Sequence, residues 1–234
     1  MQNLKYFLFI SFFVISCKNK KEEQTSPQKK ITKEIIQQVV VPPKKQTIVK
    51  KDSLTNKNTT AFFTEYGKQN IETVVEFSTR IGNFTVKLYK DTPIHRANFI
   101  FLAKSGYFDT TSFHRLVPNF VAQFGNSDNI KTANFRNKYK QYKLQPEFRK
   151  KHKHKRGALA AARDWELNPN KLSTPFEFYI VQSKKGEHHL NFEHTVFGSV
   201  IKGMHTIDKI IVEKTDIDEW PFKDVNLKVV KISK

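Results

Sequence analysis

The chain has 234 residues, 41 of them Lys or Arg against 22 Asp or Glu, for a formal net charge of +19. The positive excess runs through both the first 65 residues and the remainder. The single cysteine, Cys17, excludes an intrachain disulfide, a CxxC redox pair and a cysteine-built metal site. The 21 phenylalanines, against two methionines and two tryptophans, predict aromatic packing between sheets.

Lys5 precedes an apolar run from Tyr6 to Ile15, followed by Ser16 and Cys17. A run of about ten residues with a basic start is too short to span a bilayer and reads as a signal peptide. Residues 1–16 are therefore expected to be a signal peptide and residues 17–65 a tether. From Lys18 to about Thr60 the chain is rich in Lys, Gln, Thr and Asn, carries Pro27, Pro42 and Pro43, and has no glycine. Such a composition buries too little apolar surface to order itself and predicts a disordered segment.

Residues 66–234, about 170 in number, suffice for one domain with a proper core. Thr73–Ser78 is β-branched and aromatic, and Asn83–Tyr89 alternates with Phe84, Val86 and Leu88 inward. Gly82-Asn83 between them predicts a hairpin. The period then changes. Thr92 is placed to cap, Pro93 fits a first helical turn, Ile94, Ala97, Phe101 and Leu102 form an apolar stripe, and Gly106 ends the helix. Thr111–Gly125 reads as two short strands folded back at Pro118-Asn119. Residues two apart on a strand share a face, so Phe113 and Arg115 are expected to point one way, and Val121 and Gln123 together on the second arm.

The segment 126–156 is a basic insertion. From Lys131 to Arg163 there are twelve Lys or Arg and one acid, Glu147. It reads either as a solvated loop or as a contact surface for anionic partners, namely lipid headgroups, acidic client chains or nucleic acid. Tyr139 and Tyr142 interleave with the bases, as in nucleic-acid binders, though an exported protein rarely meets nucleic acid. His152 and His154 lie in a field of positive charge that disfavours a metal cation.

Beyond it, Gly157–Ala162 is a small apolar strand suited to lying close under something. Phe176–Val181 alternates, with Phe176, Phe178 and Ile180 on one face and Glu177, Tyr179 and Val181 on the other. Thr195–Ile201 is a further strand, Met204, Ile207, Ile210 and Ile211 have helical spacing after Gly203, and Asn226–Ile232 closes the chain as a strand. The pattern predicts a mostly β protein, a largely antiparallel barrel or sandwich with two helices.

Two resemblances follow from these motifs. The position of Cys17 just after Ser16 resembles the lipobox of bacterial lipoproteins, against the plainer reading of an ordinary signal peptide with an incidental cysteine. In that family the cysteine carries a diacylglycerol and its new amine is acylated, typically with palmitate, which implies a stable membrane anchor. Lys18 is not the aspartate associated with inner-membrane retention, so the analogy favours the outer membrane of the cell envelope.

From about Thr73 to Ile232 the chain resembles the cyclophilins, peptidyl-prolyl cis–trans isomerases. Phe113-His114-Arg115, Pro118-Asn119-Phe120 and Gln123 match F-H-R-x-x-P-x-F-x-x-Q, and Gly157–Ala162 is similar to G-x-L-S-M-A. Phe176–Ile180 is similar to S-Q-F-F-I. The segment from His189-Leu190-Asn191 to Phe197-Gly198 is similar to W-L-D-G-x-H-x-V-F-G, with histidine for tryptophan as in bacterial forms. The resemblance implies an eight-stranded antiparallel barrel closed by two α-helices. It implies Arg115, Phe120 and Gln123 as catalytic positions, with Val121, Ala162, Arg163, Glu177, Tyr179, His189, Leu190 and His194 as substrate-binding ones. No cofactor or metal is implied. The expected partners are proline-containing polypeptides, and the membrane through the lipid anchor.

An amide resists rotation because nitrogen shares its lone pair with the carbonyl, a barrier of about 18–20 kcal/mol. No bond breaks, so a cation that localises the lone pair on the prolyl nitrogen and a pocket that holds the ring are sufficient tools. Two departures bear on this. Glu177 stands for the family's glutamine and is expected to pair with Arg115 or with Arg163. Arg163 stands for a backbone-binding asparagine. The readings are an active isomerase acting on exported proteins, a peptide-binding or chaperone-like module without turnover, and a tethered structural protein adhering through its basic loop.

Overall fold

The computed structural model describes residues 54–139 and 142–234. The expected signal peptide, Cys17 and most of the tether lie outside them. The elements run α1 (Thr59–Gln69), β1 (Val74–Ser78), β2 (Asn83–Leu88), α2 (Pro93–Lys104), β3 (Ser112–Leu116), β4 (Val121–Asn126), α3 (Ile130–Lys138), β5 (Ala158–Ala161), β6 (Phe178–Val181), β7 (Val196–Lys202), α4 (Met204–Ile210), β8 (Val225–Asn226) and β9 (Lys228–Ser233). Single 3-10 turns lie at Phe108–Thr110 and His188–Leu190.

The described residues thus hold nine strands and four helices, where eight and two were expected. The strands form one antiparallel sheet in the order β8-β3-β4-β6-β5-β7-β2-β1-β9. The extra strand has a local cause. The expected last strand is broken at Leu227, whose N–H donates to Thr111 O at 2.9 Å. On one side of the break β8 pairs with β3, and on the other β9 pairs with β1. One bent segment therefore joins the two edges of the sheet, and the barrel is nearly closed.

The interior is aromatic rather than a seam between two sheets. Phe77, Phe84, Phe99, Phe108, Phe113, Phe124, Phe178 and Phe197 are all buried and pack against one another, mostly edge-on or tilted, with Phe77 and Phe84 stacked. Burying each ring contributes about 1.5–3 kcal/mol relative to leaving it in water.

Helix α2 is buried on every side from Ile94 to Ala103, beyond its expected stripe. Helix α1 covers its outer face: Phe62, Phe63 and Tyr66 surround Phe101, and the Arg96 guanidinium donates to Gly67 O and Asn70 O. The folded domain therefore takes in residues from Leu54 onward that sequence reading leaves in the tether. The N-terminus of α2 is capped from afar. Thr92 makes no capping bond. The Glu147 carboxylate instead accepts the Ile94 and His95 N–H groups and contacts His95 Nδ1 at 2.7 Å. His95 Nε2 lies 3.0 Å from Ser173 Oγ, a Ser–His–Glu relay buried too deeply to meet substrate.

The basic insertion is not a solvated loop. It contributes α3 and buries Tyr139, Tyr142, Leu144, Glu147 and His154. Tyr142 Oη donates to Asn98 Oδ1, so this ring is unavailable for base stacking.

Candidate functional site

The outer face of the sheet carries a second apolar cluster of Val121, Ala158, Ala160, Ala162, Tyr179, Val181, Leu190 and Val196, with Phe120 packed against it. The alanines of β5 keep this face low. Above it opens a cavity of about 420 Å³ lined by Arg115, Phe120, Val121, Gln123, Ala162, Arg163, Trp165, Tyr179, Leu190 and His194.

Arg115 reaches the cavity through a bulge. Phe113 pairs with Phe124 and Arg115 with Gln123, so two steps on β3 oppose one on β4 and His114 is the extra residue. The bulge reverses the alternation. Phe113 enters the barrel interior while Arg115 joins Gln123 outside, correcting the expectation that they share a face. A compensating irregularity lies at Gly125, between the Phe113–Phe124 and Ser112–Asn126 pairs. Gly125 has φ +98, and a Cβ there would lie 2.1 Å from Phe176 O, so no other residue fits. Pro118 and Asn119 form the turn, Asn119 at φ 60 with Phe120 N–H donating to Val117 O, the arrangement of a type II turn.

The far wall is held by hydrogen bonds. His154 is fully buried, and burial pushes its pKa down to about 4, so the ring is neutral. Asn191 Oδ1 accepts the His154 backbone N–H and lies 3.0 Å from Nδ1. Nδ1 therefore carries the proton, and Nε2 accepts from Tyr179 Oη at 3.0 Å. This chain fixes the Tyr179 ring. His194, also lowered to about 4 by burial, donates from Nδ1 to Ala161 O at 3.1 Å.

The charges around the cavity are paired. Arg115 Nε lies 2.7 Å from Glu219 Oε2. Arg163 donates to Glu193 Oε2 at 2.7 Å and to Glu193 O, and its guanidinium lies 4.0 Å from the Trp165 ring. Glu177 pairs with neither Arg115 nor Arg163. Arg136 of α3 donates to its Oε1 at 2.6 Å, and Gln123 Nε2 and Asn126 Nδ2 approach its carboxylate at 3.4 and 3.3 Å.

Of the residues predicted from sequence, Arg115, Phe120, Gln123, Val121, Ala162, Arg163, Tyr179, Leu190 and His194 are brought together here. Glu177 stands behind Gln123 and does not line the cavity. His189 lies on the rim, its side chain 65% exposed and its ring parallel to Phe120 at 6.1 Å. Trp165, Glu219 and the His154–Asn191 pair escaped sequence reading. The one available signal was a tryptophan in a polar loop, Asp164-Trp165-Glu166. The cavity offers apolar walls for a ring, donors for a peptide backbone, and two guanidinium groups on its lining, those of Arg115 and Arg163.

Comparison with known proteins agrees with this geometry. Residues 74–232 match the family model described as cyclophilin type peptidyl-prolyl cis-trans isomerase/CLD. The chain is 32% identical over 162 residues to a peptidyl-prolyl cis-trans isomerase-like 1 protein of Emericella nidulans, covering 68% of this chain and 94% of that one. It is 30% identical over 174 residues to a peptidyl-prolyl cis-trans isomerase of Acinetobacter baylyi, covering 69% and 87%. In fold it is similar to a crystal structure of a cyclophilin type isomerase of Cryptosporidium parvum, with TM-score 0.56, 22% identity and coverage of 68% and 98%. A second structure of that parasite protein, in the presence of the dipeptide Ala-Pro, gives TM-score 0.55.

Proposed function

The chain belongs to the cyclophilin-type peptidyl-prolyl cis–trans isomerases, and on that premise we propose that it turns over Xaa-Pro bonds in the cavity edged by Arg115, with no covalent intermediate. The observation that carries this reading is the bulge at His114, which turns a guanidinium out of the barrel and beside an apolar pocket. The prolyl ring sits against Phe120, Val121, Tyr179 and Leu190. Gln123 holds the peptide backbone. As the amide twists, its nitrogen regains a lone pair, and the permanent cation of Arg115 stabilises that localised charge. Unaided isomerisation takes on the order of 10–100 s, and each ~1.4 kcal/mol of such stabilisation is tenfold in rate. The protein needs only to hold the ring, exclude water and supply the charge.

The competing reading, a binding module without turnover, rested on Glu177 and Arg163. Glu177 is engaged by Arg136 and Arg163 by Glu193, which leaves Arg115 clear of both departures. Cis–trans exchange of a short Xaa-Pro peptide, followed with and without the protein, tests the choice. Acceleration supports the enzyme, and binding without acceleration supports the module.

The proposed clients are proline-containing exported polypeptides, met at the cell envelope by a domain tethered through residues 17–53 to a lipidated Cys17. The sequence around Cys17 supports this, with the outer membrane as the favoured site. Exposed Lys150, Lys151 and Lys155 add positive charge suited to anionic surfaces. Replacing Cys17 with Ser releases the protein from membranes on this reading. A Cys17→Ser protein that stays membrane-bound and acylated contradicts it.

A further inference from the structure

The segment after α4 meets β3 at three successive residues. Trp220 packs its ring 5.6 Å from His114, Glu219 places its carboxylate 2.7 Å from Arg115 Nε, and Leu116 N–H donates to Glu219 O at 2.9 Å. The same segment that accepts the Leu116 N–H thus delivers one carboxylate to one guanidinium.

That delivery is held against local preference. Glu219 has φ 64, in the left-handed region where a glutamate lacks the freedom of glycine. A turn locks it there. Asp216 Oδ1 accepts from both Asp218 N–H and Trp220 N–H at 2.9 Å, Asp216 N–H donates to Trp220 O, and Glu219 N–H donates to Asp216 O. Glycine would satisfy the same backbone with less strain, so the side chain is what the position retains.

The other carboxylates near the cavity are engaged. Glu177 is held by Arg136, and Glu193 by Arg163 and Lys171. Among the described residues no acceptor is hydrogen-bonded to either Nη of Arg115. A free arginine side chain has many rotamers, and both members of this pair are about two-fifths exposed, so surroundings alone do not fix it.

We propose that Glu219 is the positioning residue for Arg115: it grips the guanidinium from the Nε side, leaving the two Nη groups for the prolyl amide, and the strained Asp216–Trp220 turn exists to present it. The proposal rests on the reading of Arg115 as the catalytic cation.

The test uses the full chain with Glu219→Gly, Glu219→Gln, Arg115→Ala and the Arg115→Ala/Glu219→Gly pair, measuring Xaa-Pro isomerisation and thermal unfolding. Glu219→Gly relieves the backbone and removes the grip, so kcat falls about tenfold with KM nearly unchanged while the unfolding midpoint holds or rises. Glu219→Gln keeps the shape of the side chain but removes its half of the ion pair, so kcat falls as well, by less than in Glu219→Gly. In the Arg115→Ala background Glu219→Gly has no further effect on rate. A Glu219→Gly protein with wild-type kcat overturns the proposal, as does a further loss in the double variant. Wild-type activity in Arg115→Ala instead overturns the reading of Arg115 on which it rests. If Glu219→Gly lowers the unfolding midpoint, the double variant and Glu219→Gln decide alone.

Discussion

Arg136 and Glu177 are joined at 2.6 Å across the back of the peptide groove, both side chains three-quarters buried. Arg136 also donates to Tyr107 Oη and Gly125 O, and burial pushes the Tyr107 phenol up to about 12. One residue of the basic insertion thus neutralises the acid that stands beside Gln123.

Removing that residue leaves a largely buried carboxylate without its cation. Arg136→Ala is expected to cost about 3 kcal/mol of stability, in the range for breaking a buried pair. It also lets Glu177 draw the Gln123 amide, already 3.4 Å away, closer and lowers kcat/KM several-fold. Adding Glu177→Gln restores much of both. Thermal unfolding and peptide isomerisation on the single and double variants check this. An Arg136→Ala protein as stable and active as wild type contradicts it.

This pairing marks where sequence reading stops. The four motif blocks, the alternation of β6 and the small strand β5 were legible because each is local. The partner of Glu177 comes from a helix about forty residues away, in a segment whose charge suggested a loop. Helix α1 was hidden because its polar outer residues resemble the tether, and its apolar face has meaning only against Phe101. The bulge at His114 carries no glycine or other mark, so a simple period of two put Arg115 on the same face as Phe113.

Tyr179 and His154 form a second test. Tyr179→Phe keeps the pocket wall but leaves His154 Nε2 buried without a donor. The expected cost is about 1–3 kcal/mol of stability, with kcat/KM within about threefold of wild type. Chemical denaturation separates the two effects. A large loss of activity with no loss of stability would place the phenol in the chemistry instead.

Acid should destabilise the domain through its buried histidines. His114, His154 and His194 are each lowered to about 4, burial being the first cause. Above the ordinary value of about 6.5 both folded and unfolded rings are neutral, and stability is full. Between about 6.5 and 4 the unfolded chain takes up protons that the folded one refuses, so stability falls, by up to roughly 3 kcal/mol per ring. Unfolding midpoints from pH 7 to pH 5 should drop steadily. A flat profile contradicts neutral buried rings.

Trp165 lines the cavity while 60% exposed, held over Arg163 and edge-on to His194 at 5.2 Å. An exposed aromatic fixed in this way is a binding surface more than a core residue. Trp165→Ala should raise KM several-fold and leave kcat nearly unchanged in steady-state assays. A fall in kcat at constant KM would contradict a role confined to binding.

The most direct test of the account is the isomerisation rate of a short Xaa-Pro peptide with wild-type protein beside Arg115→Ala, both verified as folded by thermal unfolding. The account predicts clear acceleration by the wild type and its loss, by a factor on the order of 100 or more, in the variant. Equal acceleration by both proteins would contradict the assignment of Arg115, and no acceleration by either would contradict the enzyme itself.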